Sequence, residues 1–436
     1  GDPVYVRTSQ PEFNYPSGSS EVNTRYEGKG GFPISPLFTR IAGTLANGDW
    51  NVLLTGAFTD ESKMLVRRNI LDRVSTLAPF LRWDEDPYLV TTPDGRLVWI
   101  IDGYLTSDSH PYARSVSTSL GRFNYIRNSV KATVDAYDGD VHLYVFDPDD
   151  ALARAYEALF PTLFQPVSEM PKALREHARA PEMMFRAQSE LYRIFHMKDP
   201  ESFYNKADLW DIATFTTGQS GEPTQTPPTY MVAKLPGEKD PEFLLVLPFT
   251  PRNKQNLIGL MAARCDGEHL GEIVFLQLPK QEVIQGPLQV EALINQDQNI
   301  SKDLSLWNQQ GSQVLRPPIL TLPIDNTFMY VAPVYIQAAE ARMPQLKKVA
   351  LAVGNTLVYE DTYEQALAAL ANAQGRSIQA AAAPAVTQSS TSAAPQSDNK
   401  ILEIRQHLQR YRELTSQGKL SEAGRELEAI DGLTRR

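Results

Sequence analysis

Aspartates crowd one stretch of this chain: Asp84 and Asp86 around Glu85, then Asp102, then Asp135, Asp138 and Asp140, then Asp147, Asp149 and Asp150. Carboxylates at this density suit two chemistries. A hard cation such as calcium takes roughly six to eight oxygen ligands, and Asp147, Asp149 and Asp150 are the candidate metal donors. Two acids about 5–10 Å apart can instead act as acid and base on a glycosidic bond. That pair would come from Asp84, Asp86, Asp102 and Asp135. A plainer assignment competes with both. Asp149 and Asp150 stand where a helix N-terminus favours acids, Asp138 begins an Asp-Gly turn, and the calcium-loop pattern D-x-[DN]-x-[DN]-G is absent.

Residues 124–131 place Asn124, Arg127, Asn128 and Lys131 at the entry to a strand of central type. Polar and cationic side chains there are costly unless paired. Either they form an internal network with the neighbouring aspartates or they line a polar pocket. The candidate ligand-binding set is therefore Asp102, Asn124, Arg127, Asn128, Lys131 and Asp135. Tyr88, Trp99, Tyr104, Tyr112, Tyr125 and Tyr137 lie close by in sequence, suited to stacking on a sugar or peptide or to filling a core. Standard catalytic signatures are missing. The run Glu27-Gly28-Lys29-Gly30-Gly31 lacks the spacing of a phosphate loop. No G-x-G-x-x-G, G-x-S-x-G or H-E-x-x-H occurs. The six histidines are scattered, and one cysteine excludes cysteine-rich zinc sites.

The elements that must position these residues read as a mixed α+β body of short antiparallel strands with interspersed helices. Residues 1–36 read as an extended, loop-like arm packed on the body. A helix is expected over 60–78, ended by Pro79. Hairpins follow at 88–101, turning at Asp94-Gly95, and at 130–145, turning at Asp138-Gly139. Helices are expected at 149–159 and, in two pieces split by Pro181, at 171–195. A loop at 217–228 marks a possible subdivision. Strands are expected at 229–235, 242–248, 272–278, 288–294, 328–337 and 348–353, with brief helices near 300–307 and 362–372. The body then runs over 1–372. Residues 373–399 change to Ala, Ser, Gln, Thr and Pro without aromatics and read as a flexible linker. Residues 400–436 regain helical periodicity as an amphipathic hairpin, too small to be stable alone, so its stripe is expected to dock on the body, a second copy or another part of the protein.

With 436 residues, 42% hydrophobic and 22% charged, the chain can bury a core without staples, and its composition argues against wholesale disorder. A net charge of −10 argues against nucleic acid as a partner, because phosphate binding needs a basic stripe. Lone Cys265 leaves the redox compartment open. No apolar stretch approaches the roughly 20 residues of a membrane span. The opening Gly1-Asp2-Pro3 lacks an initiator Met and reads as a processed or excised piece.

Beyond these local readings, the chain resembles the soluble portion of uncharacterised protein family (UPF) 0182. The segments that carry the likeness are Tyr26-Glu27-Gly28-Lys29-Gly30-Gly31, Pro79-Phe80-Leu81 with Asp86-Pro87-Tyr88-Leu89-Val90, Trp99-Ile100-Ile101-Asp102-Gly103-Tyr104, and residues 124–131 followed by Val134-Asp135-Ala136-Tyr137. Others are Phe203-Tyr204-Asn205, Leu306-Trp307-Asn308-Gln309 and Val331-Ala332-Pro333-Val334-Tyr335. Gly103, Ala332 and Ala180 depart from the Ala, Glu and Tyr the resemblance leads one to expect. The resemblance implies a bacterial multi-pass membrane protein with helices upstream of Gly1 and this domain on the extracytoplasmic side. It implies no activity, substrate or cofactor. The expected role is a binding or assembly module of the cell envelope. The alternatives are a glycan-processing enzyme using paired carboxylates and a divalent-cation-binding domain, with calcium as the candidate ion.

Overall fold

Val130, Ala132 and Val134 alternate with Lys131 and Thr133 along the strand Tyr125–Asp135, and alternation of that kind sends successive side chains to opposite faces of a sheet. In the computed structural model of this chain, which describes residues 3–18, 20–216, 221–279, 281, 283–308, 311–324, 327–338 and 343–375, the strand is central. It pairs antiparallel with Leu97–Ser107 on one side and Val141–Val145 on the other. Arg82–Trp83 and Tyr88–Thr91 extend the sheet beyond Leu97–Ser107, and Phe164–Pro166 closes the opposite edge in parallel with Val141–Val145. One face packs Val130, Ala132, Val134, Ile101 and Leu143 against Val74 and Ala153 from the helices Ile70–Leu77 and Ala151–Leu159. The other face carries Val98, Ile100 and Tyr144 against Met170 and Leu174.

A second sheet has Glu242–Pro251 at its centre, paired with Trp210–Ile212, Thr229–Ala233 and Gly259–Arg264, with Ile273–Gln277 at the far edge. Trp210–Ile212 and Thr229–Ala233 both pair with Glu242–Pro251, and within the expected 217–228 loop Pro223–Gln225 is a strand paired antiparallel with Thr214–Thr216. Leu244–Leu247 reads as an unbroken apolar run because both faces are covered. Leu245 and Leu247 pack with Phe185 and Trp210, and Leu244 and Val246 with Val290 and Ile300. A third sheet, Thr327–Ala338 with Pro344–Val353 at its centre, shares that last core. The fold is thus α+β, as the sequence pattern predicts.

Three expectations are corrected. Residues 288–294 form part of the helix Pro287–Gln296, not a strand. Leu288, Val290, Ala292 and Ile294 alternate in sequence, but the buried residues Pro287, Val290, Glu291 and Ile294 follow the helical period. Pro287 at the first turn and Gln289, whose Oε1 accepts from Gly286 N at 3.0 Å, fix the start. The 60–78 helix is a strand Lys63–Leu65 followed by a shorter helix Ile70–Leu77, because Asn69 caps it, accepting from Leu71 N and Asp72 N. The arm is more than a loop: Glu12–Ser17 and Ser20–Thr24 form a hairpin, and Val4–Val6 and Phe32–Pro33 pair with Lys63–Leu65. Residues 376–436, which hold nearly all of the linker and the whole predicted hairpin, lie outside the described residues.

Candidate functional site

Lys131 and Asp102 are directly opposite one another on adjacent strands. Both side chains point to the face that carries Ile100 and Tyr144, where Lys131 is only 2% exposed and Asp102 only 3%. Lys131 Nζ donates to Asp102 Oδ1, to Asn128 Oδ1 at 3.2 Å and to the Arg179 carbonyl at 2.9 Å. An ammonium has three protons to give, so this one is fully used, and it also lies 5.4 Å from the centre of the Phe146 ring. A register shift between Arg127 and Val130 sets two residues, Asn128 and Ser129, against one, Tyr104, of the neighbouring strand. This bulge turns Asn128 inward, where its Nδ2 also reaches the Gly103 carbonyl at 3.3 Å.

Asp84 extends the network. Its Oδ2 accepts from the buried Tyr104 hydroxyl and its Oδ1 from Asp86 N at 2.9 Å, while Asp84 N donates to the Asp102 carbonyl at 2.8 Å. Burial raises the Asp102 carboxyl above the usual range, against the pull of Lys131 and with a smaller push from Asp84. The Tyr104 phenol is raised by burial and then by Asp102 and Asp84, which holds it protonated as a donor. Gly103 leaves room for Trp83 beneath: a Cβ there would stand 3.0 Å from the indole Cζ3. Gly is thus accommodated where Ala was expected.

Arg179 joins this face to the second sheet. Its guanidinium lies between Tyr88 and Tyr230, 4.2 and 4.5 Å from their ring centres, and donates to Asp86 Oδ2 at 2.9 Å. Next along the chain, the Ala180 carbonyl accepts from the Tyr230 hydroxyl at 2.7 Å, and Ala180 N donates to Cys265 Sγ at 3.4 Å. Burial raises the Cys265 thiol above its ordinary value, so it stays protonated. Over the ion pair opens a cleft of about 330 Å³ between the two sheets. Asn128, Lys131, Asp147 and Arg179 line it on the polar side, and Phe146, Met184, Phe185 and Ile273 on the apolar side.

Of the ligand-binding set, Asp102, Asn128 and Lys131 meet at this floor, and the other three do not. Asn124 clamps a loop, accepting from His110 N at 3.0 Å and donating to the His110 carbonyl at 2.7 Å. Arg127 pairs at the surface with Asp147 at 2.6 Å. Asp135 closes the hairpin turn: its Oδ1 accepts from Tyr137 N and Asp138 N, and its Oδ2 bonds Arg96 at 2.6 Å. Of the candidate metal set Asp147, Asp149 and Asp150, the structure gives the carboxylates of Asp147 and Asp150 protein partners. Asp150 caps the helix Ala151–Leu159 through Leu152 N and accepts from Tyr125 and Ser129. Asp147 takes Arg127 and caps Asp149 N at 3.2 Å, while Asp149 is exposed. Among the described residues no group of three or more His, Cys, Asp or Glu side chains is arranged to hold a metal ion. Arg179 was not foreseen. No local pattern marks it, since its partners Asp86, Tyr88, Lys131 and Tyr230 come from three distant segments.

A family model described as Uncharacterised protein family (UPF0182) matches residues 1–307. A UPF0182 protein of Solibacter usitatus is 61% identical over 438 residues, covering 100% of this chain and 48% of that protein. A UPF0182 protein of Geobacter sp. strain M21 is 42% identical over 434 residues, covering 99% and 47%, and one of Desulforamulus reducens is 43% identical over 364 residues, covering 84% and 39%. The chain therefore spans about half, or less, of the length of these curated relatives. No solved structure matches it.

Proposed function

The chain belongs to the UPF0182 family, and from that premise we propose that it is the extracytoplasmic body of a bacterial envelope membrane protein and acts as a binding or assembly module. The observation that carries the binding role is the cleft between the two sheets. Each charged group at its floor already has a partner, so it offers a ligand a fixed shape and fixed dipoles, not a proton to transfer. The glycan-hydrolysis alternative needs two uncommitted carboxylates. Asp84 is bonded by Tyr104 and Asp86 N, Asp102 by Lys131, Asp86 by Arg179, and Asp135 by Arg96 and two backbone amides.

The curated relatives are about twice the length of this chain, which leaves room in the longer protein for an anchor. No helix among the described residues is long and apolar enough to cross a membrane, so the anchor in this proposal is supplied by segments that this chain does not hold. Location is tested in the full-length family protein of intact cells, with Lys302→Cys as an exposed reporter and a membrane-impermeant maleimide. Cys265 is buried and stays silent. Labelling before lysis is expected; labelling only after lysis overturns the location. The assembly role is assigned to the apolar stripes of residues 400–436 and is tested by light scattering with and without them. Identical mass and unchanged melting on truncation would remove that role.

A further inference from the structure

Ile273–Gln277, the outer strand of the second sheet, pairs antiparallel with Gly259–Arg264 on one side only. No strand, loop or side chain among the described residues bonds its other edge. The ladder fixes which backbone groups face outward. Arg264 N donates to the Glu272 carbonyl at 2.8 Å and Leu278 N to the Ile258 carbonyl at 2.9 Å. Inward bonds therefore fall on the even-numbered residues, and alternation leaves Ile273, Phe275 and Gln277 with N–H and C=O turned outward. Such an edge is a template for pairing, and proteins ordinarily blunt it with Lys, Pro or a bulge. This strand has no charge, no proline and no register shift. It also abuts the cleft over Lys131. Ala263 and Ile273 stand opposite one another and both line that cleft. A residue facing Ile273 on an added strand would continue this row about 4.8 Å further out and hold its side chain at the cleft mouth.

We propose, building on the binding role assigned to the cleft, that this edge receives an extended segment of a partner protein as an additional antiparallel strand, with a Leu- or Met-sized side chain of that segment in the cleft. Met184 and Phe185 supply the apolar wall for that side chain. The charges around the cleft cancel in pairs, Lys131 with Asp102, Arg127 with Asp147 and Arg179 with Asp86, which favours an uncharged guest. Arg179 gives Asp86 Oδ2 one of the five N–H groups of its guanidinium, and the rest of the fork suits a peptide carbonyl. Two other occupants fit less well. A strand of five residues, roughly 17 Å long, does not by itself supply the about 800 Å² per partner of a stable dimer. Within the chain itself, residues 376–399 contain no Leu, Met or aromatic residue, and residues 400–436 carry a helical pattern, which satisfies its own backbone groups.

Fluorescence anisotropy of the whole chain with a labelled, end-blocked hexapeptide of alternating leucine and threonine tests the proposal. Saturable binding is expected, and alanine in place of leucine should weaken it about tenfold or more. N-methyl-leucine in place of leucine keeps the side chains, removes the donors that would meet Ile273 and Phe275, and should abolish binding. Ile273→Pro deletes an outward N–H without breaking a ladder bond, so it should weaken binding at least about tenfold while melting stays unchanged. No binding, or binding that either change leaves intact, overturns the proposal. Binding that ignores both changes but still prefers leucine spares the cleft as a binding site, so the two readings fail separately. Binding seen only after residues 376–436 are removed would assign the edge to the chain's own segment, and a dimer that Ile273→Pro converts to monomer would assign it to a second copy. Either result overturns the proposal.

Discussion

Lys131→Met removes the charge from the most deeply buried ion pair of the first sheet while keeping most of the side-chain volume. The ammonium has three acceptors: Asp102, Asn128 Oδ1 and the Arg179 carbonyl. All three lose their donor at once, and Asp102 is left as a buried charge without its partner. Breaking a buried pair from one side costs about 3–5 kcal/mol, which corresponds to a fall in melting temperature on the order of 10 °C. The pH dependence identifies the cause. Burial already raises the folded Asp102 carboxyl against the pull of Lys131. A raised carboxyl binds its proton more tightly in the folded than in the unfolded chain. Its contribution is therefore full below the unfolded value of about 3.9 and is lost as pH rises through the folded value. Without Lys131 the folded value climbs further and the loss extends to higher pH. Urea midpoints for Lys131→Met should accordingly fall further below wild type at pH 8 than at pH 5. The double variant Lys131→Met/Asp102→Leu, which removes both charges, should recover most of the loss. Equal midpoints for wild type and Lys131→Met at pH 8, or a deficit that shrinks as pH rises, would refute the reasoning.

Asp150→Ala should destabilise by about 2–4 kcal/mol in thermal melts, because it removes a helix cap and the acceptor of the buried Ser129 hydroxyl. Millimolar calcium should leave the wild-type melting curve unmoved, and a rise reversed by a chelator would support the metal reading of Asp147, Asp149 and Asp150. Gly30→Ala should loosen the N-terminal arm, since a Cβ there meets the Asp138 carbonyl oxygen at 2.3 Å; faster tryptic cleavage after Arg25 and Lys29 would register it. Arg179→Lys keeps the charge but loses the flat group stacked between Tyr88 and Tyr230. A cost of about 1–2 kcal/mol in chemical denaturation is expected, and a variant as stable as wild type would show that the stacking contributes nothing.

Much of the first sheet was legible because its signals are local. Alternation in Val130–Ala132–Val134 and Val141–Leu143–Val145 around Asp138-Gly139 fixes the hairpin, and an Asp-Gly turn flanked by alternating apolar residues has few other solutions. The suspicion that Lys131 needs a buried partner was also available, since an unpaired ammonium in mid-strand is costly. Which aspartate answers it was not. Asp135 and Asp102 are equally plausible in sequence, and the cross-strand register selects Asp102 while the turn takes Asp135. Helix Pro287–Gln296 was misread because a short apolar segment satisfies the strand and helix periods together, and only the packing of Val290 and Ile294 in one core separates them.

The sequence by itself determined the α+β class, the central hairpin, the caps and turns at Asp138 and Asp150, and the likeness to its family, because each is written in neighbouring residues. Tertiary structure alone decided the pairing of Lys131 with Asp102 and the seat of Arg179 between two tyrosines. Those depend on which segments meet across the fold, and a side chain's cost or value is set by what surrounds it rather than by what precedes it in the chain.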